Sequence, residues 1–284
     1  MGKKKHLAAV RGPRMADAAD RHVLYQKSVQ DPEMEVALLA EKFQALRGRA
    51  PVSLREDFCG TAYLCVEWCR SDAGRTAVGV DLSQEALDWG RARNVDPAGD
   101  AVANRITLLH GDVLDTPSEP VDIVCAFNFS YNGFKSRDQL RRYFQAARTQ
   151  LGPEGVMVMD VYGGQEAIDA MSEDREVDDE DFTYVWEQET FNPITNDTVC
   201  HIHFEFPDGS RLERAFTYDW RLWSLPELRE LLAEAGFSAV HVFWEEFEDQ
   251  DDEDDEYLDS TGRYYETTEV ENQESWICYL VAER

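Results

Sequence analysis

Lysine is scarce in this chain: it supplies 6 of the 28 basic residues, against 22 arginines. Basic charge as a whole is short, since 57 acidic residues leave a formal net charge of -29. Holding a nucleic-acid backbone takes local clusters of Lys and Arg, so this balance speaks against RNA or DNA as a partner. An acid-rich, lysine-poor surface fits solvation in a salty cytoplasm. Long hydrophobic runs are missing too. No apolar stretch reaches the ~18 residues that cross a bilayer, so the sequence reads as soluble, with no membrane partner. The basic N-terminus (Lys3, Lys4, Lys5, Arg11, Arg14) lacks the apolar segment of a secretory signal, and residues 1–18 read as a disordered tail. The six cysteines (Cys59, Cys65, Cys69, Cys125, Cys200, Cys278) form no CxxC pair. That argues against a disulfide framework and for reduced thiols in a cytoplasmic protein. No internal repeat is visible.

What remains is ample for a core: 284 residues, 43% hydrophobic, enough for one large α/β domain or one domain with an insertion. Apolar residues at helical spacing (Val36, Leu38, Leu39, Phe43, Leu46) predict a helix over 20–46 that ends at Gly48. Strands then alternate with helices. Strands are expected over 52–57, 76–81, 106–110, 121–127 and 156–161, and helices over 62–70, 83–93 (Ser83 as N-cap) and 137–151. This order predicts a doubly wound, mostly parallel sheet with helices on both faces. The pattern then changes. Residues 182–191, 198–206 and 211–222 alternate like antiparallel strands, with turns at Asn192-Pro193 and Asp208-Gly209. A helix over 224–235 follows, with Ser224 as N-cap, Glu227 completing a capping box and Gly236 at its end. Two last strands are expected over 238–244 and 276–281, joined by an acidic loop, 245–275. Its first twelve residues hold ten acids and no base.

Four segments carry the chemistry. The first strand-to-helix turn reads Glu56-Asp57-Phe58-Cys59-Gly60-Thr61-Ala62. The second strand ends in a single carboxylate, Asp81, before Leu82-Ser83. An acid at that point can accept the hydroxyls of a ribose. The third strand ends in His110-Gly111-Asp112-Val113, and the fourth in Phe127-Asn128. Together, in this order and spacing, they resemble the motifs of the class I S-adenosylmethionine-dependent methyltransferases. Cys59-Gly60-Thr61 matches the common core of the family's first motif and Glu56 its acidic position. Phe58 stands where the first glycine would be, and Ala62 where the third would be. A nicotinamide-binding Rossmann domain would explain the first two motifs but neither the third nor the terminal strand pair.

The resemblance covers 45–245 and 276–284. It implies a Rossmann-like fold with a seven-stranded, mostly parallel sheet, an antiparallel β cap inserted after strand 5, and S-adenosyl-L-methionine as cofactor. It implies that Glu56 holds the methionine ammonium, Asp81 the ribose and Asp112 the adenine amino group, with Phe58, Cys59, Gly60, Thr61, Leu82, Val113 and Asn128 beside them. It also implies that Tyr25, on an N-terminal helical segment, folds over the cofactor as part of a lid. In glycine and aminosugar N-methyltransferases an antiparallel platform roofs the acceptor site, and 182–222 resembles that platform. Methyl transfer is an in-line displacement from a sulfonium, which needs a neutral, aligned acceptor and no water. Candidates to help it are Asn128, Tyr131, Tyr162 and His201, with His203 on the same strand face as His201. No third ligand accompanies these two histidines, so no metal is expected. Arg221 offers itself either to a substrate carboxylate or to a surface acid. The reading is a methyltransferase acting on a small-molecule N or O acceptor. Protein or tRNA methylation and a non-catalytic cofactor-binding module stay open, as does a homodimer.

Overall fold

The N-terminal helical stretch is broken into pieces by its own capping chemistry. In the computed structural model, which describes residues 14–247 and 260–284, it forms α1 (Met15–Ala18), α2 (Arg21–Val29) and α3 (Pro32–Arg47). Asp31 accepts the Met34 amide and Pro32 occupies the first position of α3, so α2 cannot run on through 30–31. The single helix expected over 20–46 is therefore two. Gly48 closes α3 in the left-handed conformation, as read from the sequence. Of the expected disordered tail, 1–13 lies outside the described residues. Residues 15–18 are ordered against the antiparallel layer, where the Met15 amide donates to Asp208 and the Ala16 amide to Ser210.

From there the alternation holds: β1 (Ser53–Asp57), α4 (Tyr63–Ser71), β2 (Thr76–Asp81), α5 (Gln84–Gly90), α6 (Asp100–Ala103), β3 (Ile106–His110), β4 (Val121–Ala126), α7 (Arg137–Thr149) and β5 (Leu151–Gly163). Next come β6 (Met171–Glu176), β7 (Thr183–Asn192), β8 (Asp197–Glu205) and β9 (Arg211–Arg221), which form a separate antiparallel sheet in that order. This layer starts at Met171 rather than at 182. The chain ends with α8 (Leu225–Ala235), β10 (Ala239–Phe247), β11 (Ser260–Glu266) and β12 (Trp276–Glu283). Ser224 and Glu227 make the expected capping box on α8.

The main sheet has the order β11-β10-β12-β5-β4-β1-β2-β3. β5, β4, β1, β2 and β3 are parallel, while β12 inserts antiparallel between β5 and β10. The α/β class, the parallel sheet and the inserted last strand are as read from the sequence. The eighth strand, β11, was not expected: it occupies part of the segment assigned to an acidic loop, and the acidic stretch 248–256 lies outside the described residues. Buried clusters cover both faces of the main sheet. A third joins α2, through Leu24, to the inner face of the second sheet at Ile202 and Phe204, which sets α2 between the two layers. Among the described residues no helix is long and apolar enough to cross a membrane.

Candidate functional site

A cleft of about 320 Å³ opens beyond the carboxyl ends of β1, β2 and β4, where parallel α/β sheets bind ligands. Its floor is the turn after β1. Phe58, Gly60 and Ala62 all adopt the left-handed conformation, at φ 61°, 50° and 55°. The two positions that lack the family's glycine thus keep the backbone that glycine favours, each at a cost of about 1 kcal/mol. Aromatic packing of Phe58 on Tyr143 and Phe134 helps to offset it. A β-carbon on Gly60 would have no heavy atom within 4 Å, so that side of the turn faces open space. The turn is held from behind by α5. A β-carbon on Gly90 would stand 2.3 Å from the Thr61 carbonyl oxygen, so helix and turn are in backbone contact.

Two carboxyl groups face this floor. The Asp81 carboxylate accepts the Gly60 amide through Oδ2 and the Ser83 amide through Oδ1, both at 2.7 Å. Glu56 is buried, and its Oε2 accepts both the Cys65 amide and the Cys65 thiol. Burial pushes the Glu56 carboxyl up to about 8; the Cys65 bonds oppose this, and the charges of Asp81 and Asp57 add to it. The far wall includes Asn128, which with Phe129 makes two consecutive left-handed residues at φ 55° and 57°. Asp160 clamps them, accepting the Asn128 amide at 2.7 Å and the Phe129 amide at 3.0 Å. Burial pushes Asp160 up to about 7 against those two bonds.

Helix α2 roofs the cleft. On the side of the turn after β1 Gln26 donates to Thr61 Oγ1 at 2.7 Å, Trp89 donates to Asp20, and Arg21 and His22 reach Glu85. On the other side Tyr25 packs on Phe216, Lys27 meets Glu180, and Arg175 donates to the Ser28 carbonyl. Behind this roof lies a second cavity, of about 250 Å³, between the inner face of the antiparallel sheet (Tyr184, Trp186, Trp220) and Tyr162 at the end of β5. Tyr25, Asn128 and Tyr218 line both cavities and form the wall between them.

Of the residues singled out from the sequence, Tyr25, Glu56, Phe58, Cys59, Gly60, Thr61, Asp81 and Asn128 line the cleft. Tyr162 lines the second cavity, where its hydroxyl is buried and has no partner. Others stand elsewhere. Leu82 is 66% exposed and outside the lining. Asp112 accepts the Leu114 amide within its own turn, and Val113 is packed in the core. Tyr131 is turned inward by the short helical turn after Phe129, and its hydroxyl donates to the Asp160 carbonyl. Strand alternation sends His201 and His203 to the face of β8 opposite Ile202 and Phe204. There they meet Glu189 and Thr217, and Glu187 and Glu213, respectively. Arg221 pairs with Glu227 and stacks on Trp223. The sequence reading did not find Gln26, Glu85, Gly90 or Asp160. Only Asp160 had a signal, a lone acid inside an apolar strand.

A methyltransferase-domain family model matches residues 58–155. The Bacillus subtilis (strain 168) protein "Putative methyltransferase YqeM" is 24% identical over 192 residues, 65% of this chain and 72% of its own. Two solved structures share the fold. An S-adenosylmethionine-dependent methyltransferase from Clostridium acetobutylicum is 15% identical at a TM-score of 0.64, covering 92% of this chain and 96% of its own. CalS10, an amino pentose methyltransferase from Micromonospora echinaspora solved with S-adenosylmethionine bound, is 17% identical at a TM-score of 0.65, covering 93% and 95%. Motif order, fold and the matched domain agree and together support a class I S-adenosylmethionine-dependent methyltransferase.

Proposed function

We propose that this enzyme methylates a nitrogen or oxygen atom of a small molecule seated in the cavity beneath the antiparallel sheet. One observation carries the reading: that cavity and the cofactor cleft meet at a common wall, Tyr25, Asn128 and Tyr218. An acceptor there stands next to the cofactor and is screened from water by α2. The resemblance in fold to CalS10, an amino pentose methyltransferase, supports it.

The residues present suit S-adenosylmethionine. Glu56, buried beside open space with no cation against it among the described residues, matches an ammonium, and Asp81 keeps a free lone-pair direction on each oxygen for ribose hydroxyls. When bound, the cofactor supplies a methyl group on a positively charged sulfur. The chain supplies position. Asp160 fixes Asn128 at the shared wall, and Gln26 holds the roof to Thr61. Burial pushes the Tyr25 hydroxyl well up, so it donates a hydrogen bond and does not act as a base. Catalysis of this kind rests on proximity and on excluding water. All six cysteines are free and buried, which supports the cytoplasmic reading.

The test is release of S-adenosylhomocysteine across panels of amines, amino acids and phenols, with a protein extract and tRNA as competing acceptors. Turnover with a small molecule that falls at least tenfold in Trp220→Ala is expected. Turnover with protein or tRNA alone would sink the proposal.

A further inference from the structure

We infer that the acceptor is an amine that enters the second cavity as a cation and carries no anionic group. This deepens the proposal above and rests on that cavity being the acceptor site. The residues that line it include two carboxylates, Glu166 and Glu173, and no Lys, Arg or His. An acceptor bearing a carboxylate or phosphate would bring a third negative charge into a half-enclosed space whose lining carries no cation. Arg175, on the same strand as Glu173, is already engaged: it stacks over the Tyr184 ring and donates to the Ser28 carbonyl. The walls suit a cation. Tyr184, Trp186 and Trp220 supply aromatic lining, and Tyr218 stacks on Trp220 at 4.3 Å between ring centres. Burial pushes the Tyr162 and Tyr184 hydroxyls up, so they stay neutral; the unpartnered Tyr162 hydroxyl is free to accept an N–H.

Proton traffic points the same way. The shared wall offers an amide side chain and two phenols, none of which takes a proton near neutral pH. An alcohol holds its proton until it attacks and needs a base at the wall; an amine needs none once it is neutral. The amine therefore attacks as its neutral form, the ammonium having given one proton to solvent, which leaves a lone pair on nitrogen. That pair forms the new N–CH₃ bond while the carbon–sulfur bond breaks and its electrons stay on sulfur. The products are the methylated ammonium and S-adenosylhomocysteine.

Three matched ligand series test this on the full chain with S-adenosylhomocysteine present: arylalkyl primary amines, the corresponding alcohols, and the corresponding carboxylates. Binding is read by calorimetry in the wild type, in Trp220→Ala and in the double variant Glu166→Gln/Glu173→Gln. The amines are expected to bind about tenfold tighter than the alcohols, with the carboxylates weakest. The double variant should weaken the amines about tenfold and leave the alcohols within about twofold. Carboxylates that bind as well as amines, and are lost in Trp220→Ala, would overturn the amine assignment and keep the cavity as the acceptor site. Amine affinity unchanged in the double variant would likewise overturn the assignment. Silence from all three series would overturn both readings.

Discussion

The Asp81 carboxylate accepts the Gly60 amide at 2.7 Å, which ties the end of β2 to the turn that follows β1. The bond leaves that oxygen one lone pair for a ligand and fixes the direction in which it points. Asp81→Ala removes both. A charged hydrogen bond is worth about 1.5–3 kcal/mol, so S-adenosylmethionine affinity should fall by about 10–100-fold. Titration calorimetry measures it, and a variant that binds like the wild type would remove Asp81 from the cofactor site.

Gly90 makes a prediction at a residue outside every motif. Gly90→Ala places a methyl group against the Thr61 carbonyl, so α5 or the turn must shift, at a cost of about 1–3 kcal/mol. Both the melting temperature and the cofactor affinity should drop. A normal melt with normal binding would mean that the helix can slide away freely.

Phe58 and Ala62 hold the same backbone conformation for different returns. Ala62→Gly relieves a left-handed residue and gives up one buried methyl, so stability should change by less than about 1 kcal/mol. Phe58→Gly relieves the same strain but removes a ring that packs on Tyr143 and Phe134, and should cost about 1–3 kcal/mol. Urea unfolding of the two variants gives the comparison. Equal stabilities would show that the ring contributes nothing.

Glu56 makes cofactor binding pH-dependent. Its folded-state value is raised from 4.5 to about 8, so the cofactor-free native state keeps a proton that the unfolded chain has lost across that window. Stability of the cofactor-free protein therefore declines as pH rises from 4.5 towards 8, because ionisation is disfavoured in the native state. An ammonium placed against Glu56 reverses this and expels the proton. S-adenosylmethionine affinity should rise between pH 6 and pH 8, and binding heats in buffers of different ionisation enthalpy should report proton release. Glu56→Gln should flatten both responses; a wild-type affinity that stays level with pH would exclude this role.

The parallel sheet was readable because its strands are buried on both faces and end in residues of distinct chemistry, such as Asp81. The strands that escaped are edge strands. Five of the six residues of β6 are exposed, and β11 contains a glycine and no aliphatic side chain, so neither shows apolar alternation. The break between α2 and α3 did have a signal, Asp31-Pro32, hidden within a continuous helical period. Site residues divide along the same line. Backbone turns after strands are encoded locally, which brought Glu56, Gly60 and Asp81 into view. The phase of an isolated strand is not, so His201 was indistinguishable from its inward-facing neighbours until β8 was placed between β7 and β9. Gln26 matters only through a partner far along the chain, and nothing in its own neighbourhood marks it.

Helix α2 is bonded along one edge to the turn after β1 and along the other to the antiparallel sheet. One nine-residue segment thus closes two compartments. On the reading proposed above, the cofactor takes one and the acceptor the other, and both press on the same partition. The two affinities are then bound to each other by thermodynamic reciprocity: whatever factor the cofactor adds to the acceptor's grip, the acceptor returns to the cofactor's.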